Sequence, residues 1–270
     1  MTPSKLALPD HVVTNDGGQT TVYLLHGIYG AKEYWRPLTR SLAEAGYRVI
    51  AWDAPGYGLS KRPEDFSFDV VAQAGARLIQ ATARARNVVF GHSMGGQITP
   101  RLVGKVPQLV HAAVITATIG YFGNRTPDEQ AEFVRTRTKP PEPGADPKAA
   151  QLAVVNGMFA AGAQGSDVDL VRAVAMQTPP DSVQASVRAV QRYPEQDAVG
   201  ALRALNIPTL LVAGSEDKVG HPEGMRRVAA MVPQSEFAVV SRSGHYPWAE
   251  NTAEFTPLLL AFLRRHAPAA

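Results

Sequence analysis

The sequence predicts an α/β fold: a mostly parallel, doubly wound sheet of about seven or eight strands with an inserted helical cap. Three observations predict it. Short apolar, β-branched runs alternate with segments of helical periodicity from about residue 20 to residue 118, and again from residue 198, which is the rhythm of βαβ units. The runs are apolar on both sides, as strands covered on both faces are. Between the two stretches, residues 119–197 show helical patterns and no evident strand. The expected organisation is a core in two parts, 1–118 and 198–270, with the cap at 119–197. The competing reading makes that middle segment a plain extension of the core.

In chain order, His11-Val12-Val13-Thr14 is a short strand candidate closed by the turn residues Asn15-Asp16-Gly17-Gly18. Thr20 to Leu25 reads as a buried strand running into His26-Gly27-Ile28-Tyr29-Gly30, followed by a helix from about Glu33 to Ala45. The strand Tyr47 to Trp52 leads into Asp53-Ala54-Pro55-Gly56-Tyr57-Gly58-Leu59-Ser60, whose proline and glycines stop either regular element. A helix from Asp69 to about Ala83 precedes the strand Asn87 to Phe90, and His111 to Ala117 is a further short strand. Cap helices are expected over Asp128 to Arg137, Ala149 to Ala161, Asp167 to Met176 and Asp181 to Arg192, cut by the loop Lys139-Pro140-Pro141-Glu142-Pro143-Gly144. The alternation returns with a helix near Ala198 to Leu205, the strand Thr209 to Gly214 introduced by Pro208, and a helix near Pro222 to Met231. The strand Glu236 to Val240, the loop Ser241 to His245 and a helix from about Thr252 to Arg265 close the chain.

The most informative stretch is Asn87-Val88-Val89-Phe90-Gly91-His92-Ser93-Met94-Gly95-Gly96. An apolar run feeds a Gly-x-Ser-x-Gly turn and a helix-like continuation from Gln97 to Lys105, the strand–turn–helix context of a nucleophile elbow. Such a turn brings neighbouring elements against the positions two before and two after the serine, where a Cβ would clash; Gly91 and Gly95 meet that demand. Without its flanking strand, the same pentapeptide reads as an ordinary turn serine beside two glycines.

Composition narrows the classes. An apolar fraction of 45% is that of a globular protein, and 27 basic against 24 acidic residues, with no dense basic block, argue against nucleic-acid binding. The absence of cysteine removes disulfides, thiolate metal sites and a cysteine nucleophile. Met1 to Asp10 holds no signal-peptide-like apolar stretch, and no run reaches the ~18 apolar residues of a membrane span. A soluble cytoplasmic protein with no membrane partner is expected. Gly56-x-Gly58 lacks the third glycine of a dinucleotide fingerprint, and no His-Glu-x-x-His pattern exists, so neither a cofactor nor a metal is expected. Nothing bears on oligomeric state.

Functional groups in open parallel sheets gather beyond the carboxyl ends of the strands, where His26, Ser93, Asp217 and His245 stand. A serine hydroxyl needs a base to take its proton, and the base needs a third group to fix its tautomer. Ser93 is the expected nucleophile, His245 the base and Asp217 the acid, with Glu216 as competitor for the last role. An acid after the strand 111–117 is a further option, but Thr116-Ala117-Thr118 offers no carboxylate there. Their order, Ser then Asp then His, is the one that accompanies this kind of elbow.

With these residues the chain resembles the α/β-hydrolases over nearly its whole length. The resemblance rests on His26-Gly27, Asp53-x-x-Gly56-x-Gly58-x-Ser60, the elbow at Ser93, Gly214-x-x-Asp217 and Gly244-His245, in the family's order. It implies that the backbone N–H groups of Ile28 and Met94 form an oxyanion hole. The departures are a short N-terminal part and His-Gly-Ile-Tyr-Gly in place of the multi-glycine loop of some lipases and esterases.

Other candidates carry blander readings. His26 is expected to hold the oxyanion loop, His92 to pack, and Asp53 to bond nearby backbone N–H groups. Tyr29, Tyr121, Phe122, Met158, Phe159, Tyr246 and Trp248 are candidate substrate walls, Tyr246 and Trp248 gaining weight from following His245 closely, and no cluster of arginines marks an anionic pocket. The expected activity is hydrolysis of a small to medium, largely apolar carboxylic ester or lactone through an acyl-enzyme, with a small molecule as the partner. A cofactor-independent carbon–carbon hydrolase of the β-diketone or ring-cleavage type shares the triad and stays open. So do a haloperoxidase-like perhydrolase and a receptor that kept the fold without turnover.

Overall fold

The computed structural model describes residues 8–139 and 146–269; Met1 to Ala7 and all of the Pro-rich loop but Lys139 lie outside the described residues. Strands β1 (His11–Thr14), β2 (Thr20–Leu25), β3 (Arg48–Trp52), β4 (Arg86–His92), β5 (Ala112–Thr116), β6 (Thr209–Gly214) and β7 (Ser235–Val240) form one sheet. Its order is β1-β3-β2-β4-β5-β6-β7. Strand β1 runs antiparallel to β3, and every other pair is parallel. Strands β2, β3, β5 and β6 are buried along their full length, so both faces of the centre are covered, as their unbroken apolar runs require. The edges differ: Val12 and Val13 of β1 are exposed.

The helices are α1 (Arg36–Glu44), α2 (Phe68–Thr82), α3 (Met94–Lys105), α4 (Pro127–Thr138), α5 (Pro147–Asn156), α6 (Ser166–Ala175), α7 (Pro180–Arg192), α8 (Glu195–Ala204), α9 (Pro222–Ala229), α10 (Pro247–Glu250) and α11 (Thr252–His266). Local chemistry sets their starts. Ser67 caps α2 through the Val70 N–H, Asn251 caps α11 through that of Glu254, and Thr126 with Glu129 forms a capping box on α4. Helix α4 packs against α5 and α7, and α5 against α6, while α6 also packs on α10 and on residues 32–35.

Three boundaries differ from the sequence reading for physical reasons. The helix expected from Glu33 opens as a 3-10 turn, Lys32–Trp35. Helix α5 stops at Asn156 rather than near Ala161, because the Met158 N–H turns to the Val155 carbonyl and the N–H groups of Ala160 and Ala161 donate to Glu250 and Glu216 instead of continuing the helix. The four-residue α10, with proline at its first turn, was not expected.

The register places the site. Leu25 of β2 pairs with Gly91 of β4, and Gly214 of β6 pairs with Val240 of β7. The loops after β2 and β4 therefore leave the sheet side by side, and so do those after β6 and β7. Between β2 and β4 the strand order reverses direction, which is where open α/β sheets leave a crevice.

Candidate active site

Ser93 sits between β4 and α3 with φ 53° and ψ −110°, a left-handed conformation that costs a non-glycine residue about 1–3 kcal/mol. The surroundings enforce it. The Ser93 N–H donates to the Thr116 carbonyl at 2.9 Å. A Cβ at Gly91 would stand 2.3 Å from Oγ1 of Thr99, and one at Gly95 would stand 2.2 Å from the Leu25 carbonyl oxygen. Gly27 is equally constrained, since a Cβ there would come within 3.0 Å of Ser93 Cβ. The loop after β2 thus passes in contact with the serine. Among the described residues neither the Ile28 nor the Met94 N–H donates to a protein acceptor.

His245 and Asp217 meet on loops 28 residues apart in sequence: Nδ1 of His245 donates to Oδ2 of Asp217 at 3.0 Å and to Oδ1 at 3.1 Å. Both residues are buried. Oδ1 of Asp217 also accepts the N–H groups of Val219 at 2.7 Å and Gly220 at 2.9 Å. Burial pushes the Asp217 carboxyl up, but the imidazole and these two N–H groups together outweigh it and hold the carboxyl below its ordinary 3.8. Glu216, the competing acid, instead accepts the Ala161 N–H at 3.2 Å. With Nδ1 engaged, Nε2 is the nitrogen of His245 left for chemistry. Ser93 and His245 line one cavity, and no direct hydrogen bond joins them among the described residues.

That cavity is narrow, about 20 Å³, room for little more than one water molecule. Of the seven expected walls, Tyr29, Met158 and Tyr246 line it. The other four do not: Trp248 is turned inward by α10 onto Trp35, with ring centroids 4.6 Å apart, and Phe159 packs on Tyr246 and beneath Arg172. Tyr121 stands just before the 3-10 turn preceding α4, and Phe122, on that turn, packs on Phe133. Tyr34, Phe133, Arg137 and Val219 line the cavity as well.

The supporting shell contains residues that sequence reasoning undervalued. His92, expected only to pack, bonds through both ring nitrogens, to the Tyr34 hydroxyl at 2.9 Å and the His245 carbonyl at 3.0 Å. Tyr34 in turn accepts the Gly27 N–H at 2.8 Å. Glu250 accepts three backbone N–H groups, those of Ala160, Gly244 and Tyr246, at 2.7 to 2.9 Å. His26 accepts the Ala54 N–H on Nε2 at 2.9 Å and donates from Nδ1 to the Gly27 carbonyl at 2.8 Å, so it clamps its loop to the one after β3. Burial keeps that ring's pKa below 6.5. Asp53 accepts the Lys32 N–H at 2.9 Å, and a Cβ on Gly58 would collide with its carboxylate.

Among the described residues no group of three or more His, Asp or Glu side chains is placed to hold a metal ion, and no helix is long and apolar enough to cross a membrane.

The comparisons agree with this architecture. Lipase 3 of Moraxella sp. (strain TA144) is 26% identical over 91% of this chain and 78% of its own length. A 2-hydroxy-6-oxononadienedioate/2-hydroxy-6-oxononatrienedioate hydrolase of Pseudomonas sp. is 25% identical over 94% of this chain and 92% of its own. The malate-bound structure of a thermophilic esterase from Thermogutta terrifontis superposes with a TM-score of 0.80 at 24% identity, covering 98% of this chain and 96% of that one. The family model of the alpha/beta hydrolase fold matches residues 20–252, a span from the first residue of β2 to the start of α11, and by that match the chain belongs to the alpha/beta hydrolase fold family.

Proposed function

We propose that the chain is a serine hydrolase that cleaves a carboxylic ester or lactone through an acyl-enzyme at Ser93. The observation that carries this reading is the two-oxygen contact of Asp217 with Nδ1 of His245, which leaves Nε2 as the imidazole's basic nitrogen in the cavity that Ser93 also lines. As substrate enters, Nε2 takes the proton of Ser93 Oγ while the oxygen attacks the carbonyl carbon. Asp217 stabilises the imidazolium. The same proton then goes to the leaving alkoxide, and water repeats the sequence to release the acid. The free N–H groups of Ile28 and Met94 are suited to the oxyanion, and loss of one such donor costs roughly 2.7–4 kcal/mol of transition-state stabilisation.

Residues 119–197 act in this reading as a cap, since Phe133, Arg137 and Met158 reach the cavity from it. Because the cavity is so narrow, these side chains move aside for substrate. Replacing Ser93 by alanine should abolish turnover of p-nitrophenyl butyrate and labelling by a fluorophosphonate. Undiminished labelling of that variant would reject the assignment.

A second reading, carbon–carbon hydrolysis of a vinylogous dioxo acid, is favoured by the likeness to the Pseudomonas hydrolase. Turnover of such an acid with negligible ester hydrolysis would select it.

A further inference from the structure

We propose that Arg137 selects substrates whose acyl portion carries a carboxylate, an inference that rests on the hydrolase reading above and narrows it from largely apolar to anionic substrates. Arg137 is the one permanently charged side chain among the described residues lining the cavity of Ser93 and His245. Read along the sequence, the arginines form no cluster. Folded, Arg125, just before α4, and Arg137, in its last turn, converge on Phe133, their guanidinium carbons 5.0 and 4.1 Å from its ring centroid.

Among the described residues Arg137 has no ion-pair partner. Its Nη1 donates to the Phe133 carbonyl at 3.1 Å and to Oγ1 of Thr136 at 3.0 Å, while Nε and Nη2 donate to nothing among the described residues. No carboxylate of those residues lies within ion-pair distance. Glu132, the acid of the same helix that could reach it, is held by Arg135 at 2.6 Å. Arg125 stands in the same condition. Its Nη2 donates to the Val219 carbonyl at 2.7 Å, and its Nε is buried without a partner. Burial first, and then repulsion from Arg137, bring the Arg125 guanidinium down to about 10.

Outside the cavity, Arg125, Arg137 and Lys218 border a depression of about 330 Å³ that also holds Asp128, Glu129 and Glu132. Two of those acids are engaged, Glu132 by Arg135 and Glu129 by the cap on Thr126; Asp128 is exposed. Arg137 borders both the depression and the cavity of Ser93 and His245. A half-buried guanidinium with two free donors in a planar fork matches a carboxylate, which can take both at once. The other groups acting on it are the hydroxyls of Tyr29 and Tyr246, which are neutral, and the carboxylate of Glu132, which makes no ion pair with it and is held by Arg135. Burial drives the Tyr29 hydroxyl up to about 12, so it stays protonated and able to donate to the same anion.

Two substrate types carry this chemistry: the hemiester of a dicarboxylic acid, and a dioxo diacid whose acyl fragment itself ends in a carboxylate. The test compares kcat/KM for mono-p-nitrophenyl glutarate, for neutral p-nitrophenyl butyrate and for the dienoate 2-hydroxy-6-oxononadienedioate, which carries a carboxylate on its acyl fragment, using the wild-type chain, Arg137→Met and Arg137→Lys. The wild type should prefer the anionic glutarate ester by about tenfold or more. The preference should shrink with added salt, fall to near unity in Arg137→Met, and survive in part in Arg137→Lys. Turnover of the dienoate in place of the glutarate ester, with the same dependence on Arg137, would support the inference and move the reaction to carbon–carbon cleavage. Equal use of neutral and anionic esters by the wild type, or an equal loss on both in Arg137→Met, would overturn the inference and leave the hydrolase reading standing. No turnover of any of the three would overturn both.

Discussion

The hydroxyl of Tyr34 accepts the Gly27 N–H at 2.8 Å and lies 2.9 Å from Nδ1 of His92. The His245 carbonyl beside Nε2 of His92 can only accept, so in a neutral ring Nδ1 is the acceptor and takes the hydroxyl's proton in a hydrogen bond. Nε2 of His92 then carries the ring's hydrogen and donates to the His245 carbonyl at 3.0 Å. One relay thus joins the loop after β2, the elbow and the loop bearing His245. Its polarity requires a neutral ring, because an imidazolium would point a second proton at Tyr34. Burial, followed by the proximity of His245, holds the His92 pKa well below 6.5 and keeps the ring in that state.

Tyr34→Phe should therefore do more than remove one oxygen. It leaves the Gly27 N–H without its acceptor and Nδ1 of His92 without its donor, both in a buried setting. We expect a loss of about 1–3 kcal/mol, seen as a drop in Tm, together with a fall in kcat that exceeds any rise in KM. An unchanged Tm and unchanged kcat would show that the relay holds nothing in place.

The parts legible in the sequence were those where backbone geometry leaves few choices of residue. Buried parallel strands demand unbroken apolar runs, and β2, β3, β5 and β6 supply them. The turn at Ser93 demands glycine wherever a Cβ would strike a neighbour, as at Gly91 and Gly95. Cavity walls obey no such rule. Trp248 lies three residues from His245, yet α10 directs it into the aromatic stack with Trp35, while Phe133 and Arg137 reach the cavity only because of how α4 docks. The Arg125–Arg137 pairing was invisible for the same reason. Glu250 left no signal because its partners are backbone N–H groups, which carry no identity in a sequence, and His92 because one partner is a backbone carbonyl and the other the Tyr34 hydroxyl, 58 residues away.

Asp217→Asn tests the orienting contact and has a defined pH signature. Asparagine offers one acceptor and one donor, so it can keep the Val219 and Gly220 bonds only by turning its N–H toward Nδ1 of His245, which favours the wrong tautomer. By analogy with the serine proteases, kcat should fall on the order of 10⁴-fold. The Asp217 carboxyl is held below 3.8 in the folded chain, so its contribution to stability is fully present above that value and is lost as pH falls through the lower folded one. The acid limb of Tm against pH should accordingly be shallower in Asp217→Asn than in the wild type. A variant with near-normal kcat and an identical acid limb would remove Asp217 from the assignment.

Glu250 has the opposite sign. Burial raises its carboxyl above 4.5 despite the N–H groups of Ala160, Gly244 and Tyr246 that it accepts. A raised carboxyl binds protons in the folded chain at a pH where the unfolded chain has released them, so its contribution to stability declines as pH rises from about 4.5 through the folded value. Glutamine has no such titration. The Tm difference between wild type and Glu250→Gln should therefore be larger on the acid side of that window than at neutral pH. Because two of the three N–H groups flank His245, the variant should also lose kcat with little change in KM. Glutamine's single carbonyl oxygen cannot reproduce both carboxylate oxygens, Oε2 bridging Ala160 to Gly244 and Oε1 holding Tyr246. A Tm difference that widens with rising pH would mean that Glu250 binds these loops as a stabilised anion, and the burial argument would fail.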